Sequence, residues 1–312
     1  MTIRLGVVMD PIQSIHYKKD STLAMLWEAQ ARSWELYYFE QKDLFLRDSM
    51  PYGHARKLSV FKNPQEWFKL GESTLLSLAD LDIILMRKDP PFNEEYIYST
   101  YILEHAERLG ALVVNRPQSL RDANEKFFAA SFPDCCPPTL IAQSSADLHA
   151  FWQEHGDIVC KPLNTMGGKS VFRLRQDDVN APVVFETLTQ GESVYIEAQR
   201  FIPEIKNGDK RIILINGEAV PFSLARVPQG SDWRGNLAVG AKGEIRQLTA
   251  RDRFICERVG PVLRDKGLYF VGIDVIGDYL TEVNVTSPTG IRELDDANDI
   301  SISALLYDAI VK

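Results

Sequence analysis

No stretch of this 312-residue chain approaches the roughly 18 consecutive apolar residues of a membrane span. Cysteine is scarce: Cys135, Cys136, Cys160 and Cys256 are all there are. None has metal-ligand spacing, and adjacent Cys135-Cys136 make a poor pair for one ion. Disulfide frameworks belong to small secreted chains, and Ile3-Arg-Leu-Gly-Val-Val-Met9 lacks a signal peptide's charged start and cleavage pattern. Positive charge is in deficit too, 35 Lys and Arg against 43 Asp and Glu, for a net charge of −8 and a pI near 5.3. That balance argues against non-specific binding to nucleic acid or to an anionic membrane. A Walker A loop, a dinucleotide fingerprint, internal repeats and low-complexity segments are also missing. A cytoplasmic, reduced protein is expected, with about two domains at roughly 150 residues each. Its 45% hydrophobic content is enough for a sizeable core.

Strands alternate with helices over roughly the first 120 residues, which predicts a parallel α/β layer. The strands are Ile3–Met9, Glu35–Glu40, Gly53–Phe61, Leu81–Met86 and Ala111–Asn115. Asp20 and Ser21 offer an N-cap to a helix reaching about Ser33, and Gly110 stops another over Glu94–Leu109. Ligands of such sheets bind beyond the carboxyl ends of strands. The loops Asp10–Ile12 and Arg87–Phe92 lie there, so the cations of the second could meet an anionic substrate; the alternative is a solvated loop. Ser119–Ala130 reads as a helix, and the Pro133–Pro138 stretch as a joint between lobes.

Beyond the joint, strand Thr139–Ala142 and amphipathic helix Ser145–His155 precede strand Asp157–Lys161. Pro162–Ser170 then forms a glycine-rich loop before strand Val171–Leu174. Such a loop between antiparallel strands can lay backbone N–H groups over phosphates, although most Gly-Gly pairs are only turns. Strand Val194–Gln199 enters a hinge at Arg200–Pro203. Asn216-Gly217 is the strongest hairpin signal, joining Arg211–Ile215 to Glu218–Arg226. Residues 227–243 form a long glycine-rich loop, the length of a lid. Helices Ala250–Lys266 and Ser301–Val311 flank a second hairpin, Phe270–Ile276 and Leu280–Val285, around Gly277-Asp278.

That second hairpin organises the chain. Asp274, Glu282 and Asn284 interrupt strands that should be apolar, and Glu282 and Asn284 share one face. Hard oxygen donors on a rigid scaffold suit Mg²⁺. A strict two-residue turn would pair Asp274 with Thr281 and aim it away, so the connection must hold an odd number of residues or a bulge, and an irregular turn is expected. The alternative is an edge hairpin with three solvated outer-face residues.

In this order the pieces resemble the ATP-grasp ligases, and nearly the whole chain is similar to the bacterial glutathione synthetases. The resemblance rests on Val8–Ile12, Lys18–Ser21, Leu85–Phe92, Arg116–Arg121, Asn124–Lys126, Gly208–Arg211, Arg234–Asn236 and Leu280–Thr289. It implies a mixed α/β ATP-grasp fold with a substrate domain at 1–123, a small lobe at 124–202 and a C-terminal domain at 203–312, ATP lying between the last two. By the same resemblance Lys126 and Lys161 meet ATP phosphates, beneath a loop that includes Met166, Gly167 and Gly168. Glu197, Ala198, Gln199, Arg200 and Phe201 line the adenine pocket, where a strand edge can read the base, and Asp209 lies near the ribose. Asp274, Glu282 and Asn284 become ligands for Mg²⁺, with Mn²⁺ as a substitute. Arg211 and Arg226 face the γ-phosphate and an acyl-phosphate. Arg234, Gly235 and Asn236 belong to a mobile lid, and Ser287, Thr289 and Arg292 serve the peptide or glycine. One departure stands out: Thr165 replaces a further glycine of the phosphate loop and predicts a stiffer loop.

The activity so implied is ATP-dependent joining of γ-glutamylcysteine to glycine through an acyl-phosphate, by a cytoplasmic homo-oligomer that is a tetramer by resemblance. Positioning and charge neutralisation do most of such chemistry. A different carboxylate–amine ligase and a nucleotide-binding module without turnover are the alternatives. Arg211, Arg226 and Arg234 speak against the second.

Overall fold

The computed structural model describes residues 2–230, 232–235 and 240–311. The first part builds β1 (Arg4–Val8), α1 (Ser21–Ala31), β2 (Glu35–Phe39), β3 (Leu44–Arg47), β4 (Met50–Val60) and β5 (Phe68–Ser77). It continues through β6 (Ile83–Met86), α2 (Glu94–Arg108), β7 (Leu112–Val114) and α3 (Pro117–Asp122). The sheet runs β3-β4-β2-β1-β6-β7, with β5 on β4. Only β2-β1-β6-β7 are parallel. The expected parallel layer is therefore half of a mixed sheet, extended by the antiparallel strands β3, β4 and β5. Near-continuous apolar runs such as Leu5, Val7 and Val8 are what burial on both faces requires. As expected, Asp20 caps α1, its carboxylate accepting from the Leu23 N–H at 2.6 Å.

The second part contains β8 (Thr139–Ala142), α4 (Ser145–His155), β9 (Ile158–Pro162), β10 (Phe172–Leu174), α5 (Ala181–Thr189) and β11 (Ile196–Arg200). Its antiparallel sheet, ordered β10-β9-β11-β8, packs on a core of its own around Leu148, Trp152, Phe185 and Leu188. The third part contains β12 (Asp209–Ile215), β13 (Glu218–Val227), β14 (Lys242–Gln247), α6 (Ala250–Asp265), β15 (Phe270–Ile276), β16 (Tyr279–Asn284), α7 (Ile291–Asn298) and α8 (Ile302–Ile310). Its sheet order is β14-β13-β12-β15-β16. Asn216 and Gly217 take φ 48° and 80°, the paired positive angles of a type I′ turn.

The first and third parts share their cores. Val8, Phe39 and Ile84 pack with Ile212, Val271 and Val283, while Leu5, Leu36 and Leu85 pack with Ile213, Phe270 and Ile291. Asn115, just past β7, fastens the joint. Its amide donates to the carbonyls of Phe270 and Val285, at 2.7 Å each, and its oxygen accepts from the Phe270 N–H.

One expected helix fails. Ser119–Ala130 breaks after Asp122, because the Asn124 side-chain oxygen takes the N–H groups of Lys126 and Phe127. A short polar side chain that bonds its own backbone competes with the helix in this way. The break turns Glu125 and Lys126 toward the space between the second and third parts.

Candidate active site

The β15–β16 hairpin brings its polar residues together, by the bulge that was one of the two expected routes and not by an irregular turn. Ile276 pairs with Tyr279, so Gly277-Asp278 is an ordinary two-residue turn. The irregularity is a bulge at Thr281, which restores the register so that Asp274 faces Glu282 and Gly272 faces Asn284. On neighbouring β12, Arg211 lies opposite Asp274. Its guanidinium donates to both Asp274 oxygens, at 2.6 and 3.0 Å, and Arg226 from β13 reaches the same carboxylate at 3.0 Å. Two guanidinium groups hold the buried Asp274 far below the usual carboxylate range, against the opposing effect of burial. Asp274 is thus the post that aligns Arg211 and Arg226.

Above this sheet lies a cleft of about 760 Å³ between the second and third parts. The break after α3 supplies Lys126, whose ammonium donates to the Thr165 carbonyl at 2.7 Å. The end of β9 supplies Lys161, buried against Glu197 at 2.9 Å. Glu282 stands 3.8 Å from each ammonium. Burial works against the charge of Lys161, yet Glu197, Glu282 and Glu125 together raise its pKa. Asp209 enters from the other side. Burial pushes its carboxyl up to about 6 even though Arg226 pairs with one oxygen; the other, Oδ1, is buried without a partner among the described residues.

Met166, Gly167, Gly168, Gln199, Arg200 and Phe201 line the cleft as expected, whereas Glu197 and Ala198 do not. The Glu197 carboxylate lies beneath Lys161, and Ala198 faces the core of the second part. β11 is also no edge: Glu197, Ala198 and Gln199 pair with β8 on one side and β9 on the other. In the segment leaving the strand, Arg200 to Ile202, the N–H groups of Arg200 and Phe201 donate to the carbonyls of Pro138 and Asp157. Thr165 does not take a positive φ, whereas Gly167 and Gly168 do, so the absent glycine imposes no backbone strain. β14 begins at Lys242, shortening the loop expected over 227–243. Arg234 donates to the Gly168 carbonyl at 2.7 Å and is gripped by Asp232. Gly235 presses so close that a Cβ would stand 2.6 Å from that of Asp209. Asn236 lies outside the described residues.

A second cleft joins the first through Met166, Gly167 and Glu282 and holds Arg211, Arg226, Asp274, Asn284, Ser287 and Thr289. Through Asp89, Pro90, Ser287 and Thr289 it opens into a third, above the ends of β1 and β6. Arg292 is not brought to this space: it donates to the Tyr17 carbonyl and stacks over Trp27. The cations after β6 are also committed to the protein. Arg87 is buried, donating to Thr22 and to the Pro288 carbonyl, and Lys88 pairs with Asp10.

The sequence profile of the prokaryotic glutathione synthetase N-terminal domain matches residues 3–121, and that of the ATP-grasp domain of the same synthetases matches 125–299. Glutathione synthetase of Pseudomonas aeruginosa is 58% identical over 310 residues, 99% of this chain and 98% of the relative. That of Escherichia coli is 54% identical over 308 residues, 99% and 98% of the two chains. The chain belongs to the prokaryotic glutathione synthetase family. Among solved structures, the ATP-grasp ligase PsnB with a minimal precursor shares the fold at TM-score 0.66 and 17% identity, covering 99% of this chain and 98% of that one. D-cycloserine synthetase DcsG does so at 0.67 and 12%, covering 98% of each. Like its relatives, this synthetase is an ATP-dependent ligase of glutathione biosynthesis, and membership of the family carries dependence on a divalent metal.

The donor set fits such an ion. Among the described residues no group of three or more His, Cys, Asp or Glu is placed to hold one. Asp274, Glu282 and Asn284 instead offer two carboxylates and an amide where the first and second clefts meet, a partial shell of the kind phosphates complete. Asn284 already donates its amide N–H to Asp274 at 3.2 Å, leaving its oxygen as the donor.

The sequence reading missed Glu125, Thr281, Trp233 and Asp89. Each lay in a segment already singled out, Glu125 in Asn124–Lys126, Asp89 in Arg87–Phe92, Trp233 in 227–243 and Thr281 in the second hairpin, but none was given a role; the Glu125 carboxylate accepts from Lys126. Trp233 meets Phe201 edge-on at 5.8 Å at the mouth of the first cleft. The buried Lys161–Glu197 pair also carries a stability prediction for the synthetase. Glu197→Ala leaves an ammonium buried with only a more distant carboxylate, and should cost about 3 kcal/mol in denaturant unfolding. Lys161→Met with Glu197→Leu should recover most of that stability while remaining inactive.

Proposed function

We propose that the synthetase joins γ-glutamylcysteine to glycine by way of an acyl-phosphate. The observation that carries this reading is the Asp274-aligned pair Arg211 and Arg226, set between a phosphate cleft and a second cleft that continues into a peptide-sized one. ATP lies in the first cleft, its base at Arg200–Ile202, its ribose at the free oxygen of Asp209 and its phosphates on Lys126 and Lys161. The cysteinyl carboxylate rests between Arg211 and Arg226, and the rest of the dipeptide runs past Ser287 and Thr289. A carboxylate oxygen attacks the γ-phosphorus and the bond to ADP breaks, so the acyl carbon gains a phosphate leaving group. The amine of glycine then adds to that carbon, loses a proton and displaces phosphate. The charge spreading over the transferred group meets fixed cations, which is where most of the rate arises.

Asp274, Glu282 and Asn284 would hold Mg²⁺, with Mn²⁺ as a substitute, and the ion would neutralise phosphate charge when bound. Arg234 and Gly235 close the cleft against water, supported by the contact of Arg234 with Gly168. The synthetase acts in the cytoplasm as a homo-oligomer, a tetramer by family resemblance. Leu46, Met50 and Leu75, exposed on the β3–β4–β5 ribbon, support association. The test is ADP release with a panel of peptides and amines. ADP should appear only when γ-glutamylcysteine and glycine are both present; release with another peptide–amine pair and not with this one would overturn the reading.

A further inference from the structure

The strand order β2-β1-β6-β7 reverses direction between β1 and β6, and the crevice beyond their carboxyl ends is where such sheets take ligands. In this chain the crevice is bridged. Asp10, after β1, meets Lys88, after β6, at 2.9 Å. The Asp89 N–H donates to the other oxygen of Asp10, also at 2.9 Å, and the Lys88 ammonium donates back to the Asp89 carbonyl. The result is a closed clasp of three residues across two loops.

Its position is informative. Asp10 borders the peptide cleft on one face and a separate cavity of about 980 Å³ on the other. Asp89 borders only the peptide cleft of these two, and Lys88 only the cavity behind, alongside Gln41, Glu95 and Ser99. The clasp is therefore a partition with a different residue on each side. A dipeptide whose carboxylate rests at Arg211 and Arg226 enters past Ser287, Thr289 and Asp89, so its amino end is directed toward Asp10. Carboxylates of Asp10, Asp20 and Asp89 around that end suit an ammonium group.

Resting on the functional reading above, we propose that the Asp10–Lys88–Asp89 clasp is the end wall of the peptide cleft and the determinant that excludes substrates extended at the γ-glutamyl amino group. A further residue on that nitrogen would have to pass through the partition into the cavity behind it. Lys88 is the member to remove, because it lies on the far side of the wall from the peptide.

The test compares two substrates, γ-glutamylcysteine and the same dipeptide carrying a glycyl residue on its α-amino group. The ratio of kcat/KM for the extended over the simple peptide is measured in the wild type, Lys88→Ala and Lys88→Met. A single added methylene in a hydrophobic pocket already changes kcat/KM by roughly 10–200-fold, and a glycyl residue is larger. The ratio should therefore rise at least about tenfold in Lys88→Ala and less in Lys88→Met, whose stem still fills part of the wall. Asp10 accepts through both oxygens, from Lys88 and from the Asp89 N–H, and asparagine keeps only one acceptor, so Asp10→Asn breaks one arm of the clasp and should move the ratio in the same direction as Lys88→Ala. An unmoved ratio in a Lys88 variant with the wild-type thermal transition overturns the wall. Should Lys88→Ala fail to fold, the ratio in Lys88→Met decides, and an unmoved ratio there overturns the wall equally. A wild-type synthetase that ligates neither peptide overturns the functional reading and the wall with it.

Discussion

Glu282→Gln should lower ligation on the order of 10³-fold while the protein stays folded. Glu282 stands 3.8 Å from both Lys126 and Lys161 and opposite Asp274, and it is one of only two carboxylates in the donor set. Its charge lies beside both ammonium groups, and its oxygens are the least committed of the set, since both Asp274 oxygens already accept from arginines. Glutamine keeps the shape and loses the charge. Stability should change by less than about 1 kcal/mol, because Lys161 retains Glu197 and Lys126 retains Glu125 and the Thr165 carbonyl. Single-turnover ligation and a thermal melt read the two halves separately. Near-wild-type turnover at saturating divalent cation would remove Glu282 from the chemistry.

The hairpin that carries Glu282 shows how far residues alone lead. Polar positions inside apolar strands are visible without any alignment, and period-two geometry demands that one residue be added if Asp274 and Glu282 are to share a face. Parity cannot say where that residue goes, since a longer turn and a bulge shift register equally. The extra residue is Thr281, whose hydroxyl donates to the Asp274 carbonyl, a contact with no sequence signature. The helix expected over Ser119–Ala130 failed for a similar reason: a local competition at Asn124 outweighed the helical pattern.

Unread elements are those whose stability comes from partners rather than from pattern. β14, Lys-Gly-Glu-Ile-Arg-Gln, carries one large apolar side chain and exists because β13 supplies a ladder. β5 is exposed along most of its length and is held by β4. The cations Arg87 and Lys88 were visible as charges, but their commitment to Thr22, Pro288 and Asp10 depends on which loops meet across the sheet. Arg211 and Arg226 gained their roles only through resemblance. What the structure adds is the carboxylate that binds them into a unit, and that unit carries the next prediction.

If the cysteinyl carboxylate is phosphorylated first, a γ-glutamylcysteine analogue bearing a phosphinate at that carbon should be phosphorylated in the site. The product would mimic the tetrahedral intermediate and present its charge to Arg211 and Arg226 in the arrangement that Asp274 enforces. Mimics of this kind bind roughly 10²–10⁸-fold tighter than substrates. Inhibition should be slow, tight and dependent on ATP, because the transferred phosphate is part of the mimic. Arg226→Ala should weaken that inhibition by at least about 10²-fold, the lower end of the same range, and weaken ADP binding far less. The difference is expected because Arg226 lines the second cleft and not the first, where the proposed function puts the nucleotide and its phosphates on Lys126 and Lys161. Equal inhibition without nucleotide would overturn the acyl-phosphate route. So would oxygen-18 placed in the peptide carboxylate that fails to appear in the released phosphate.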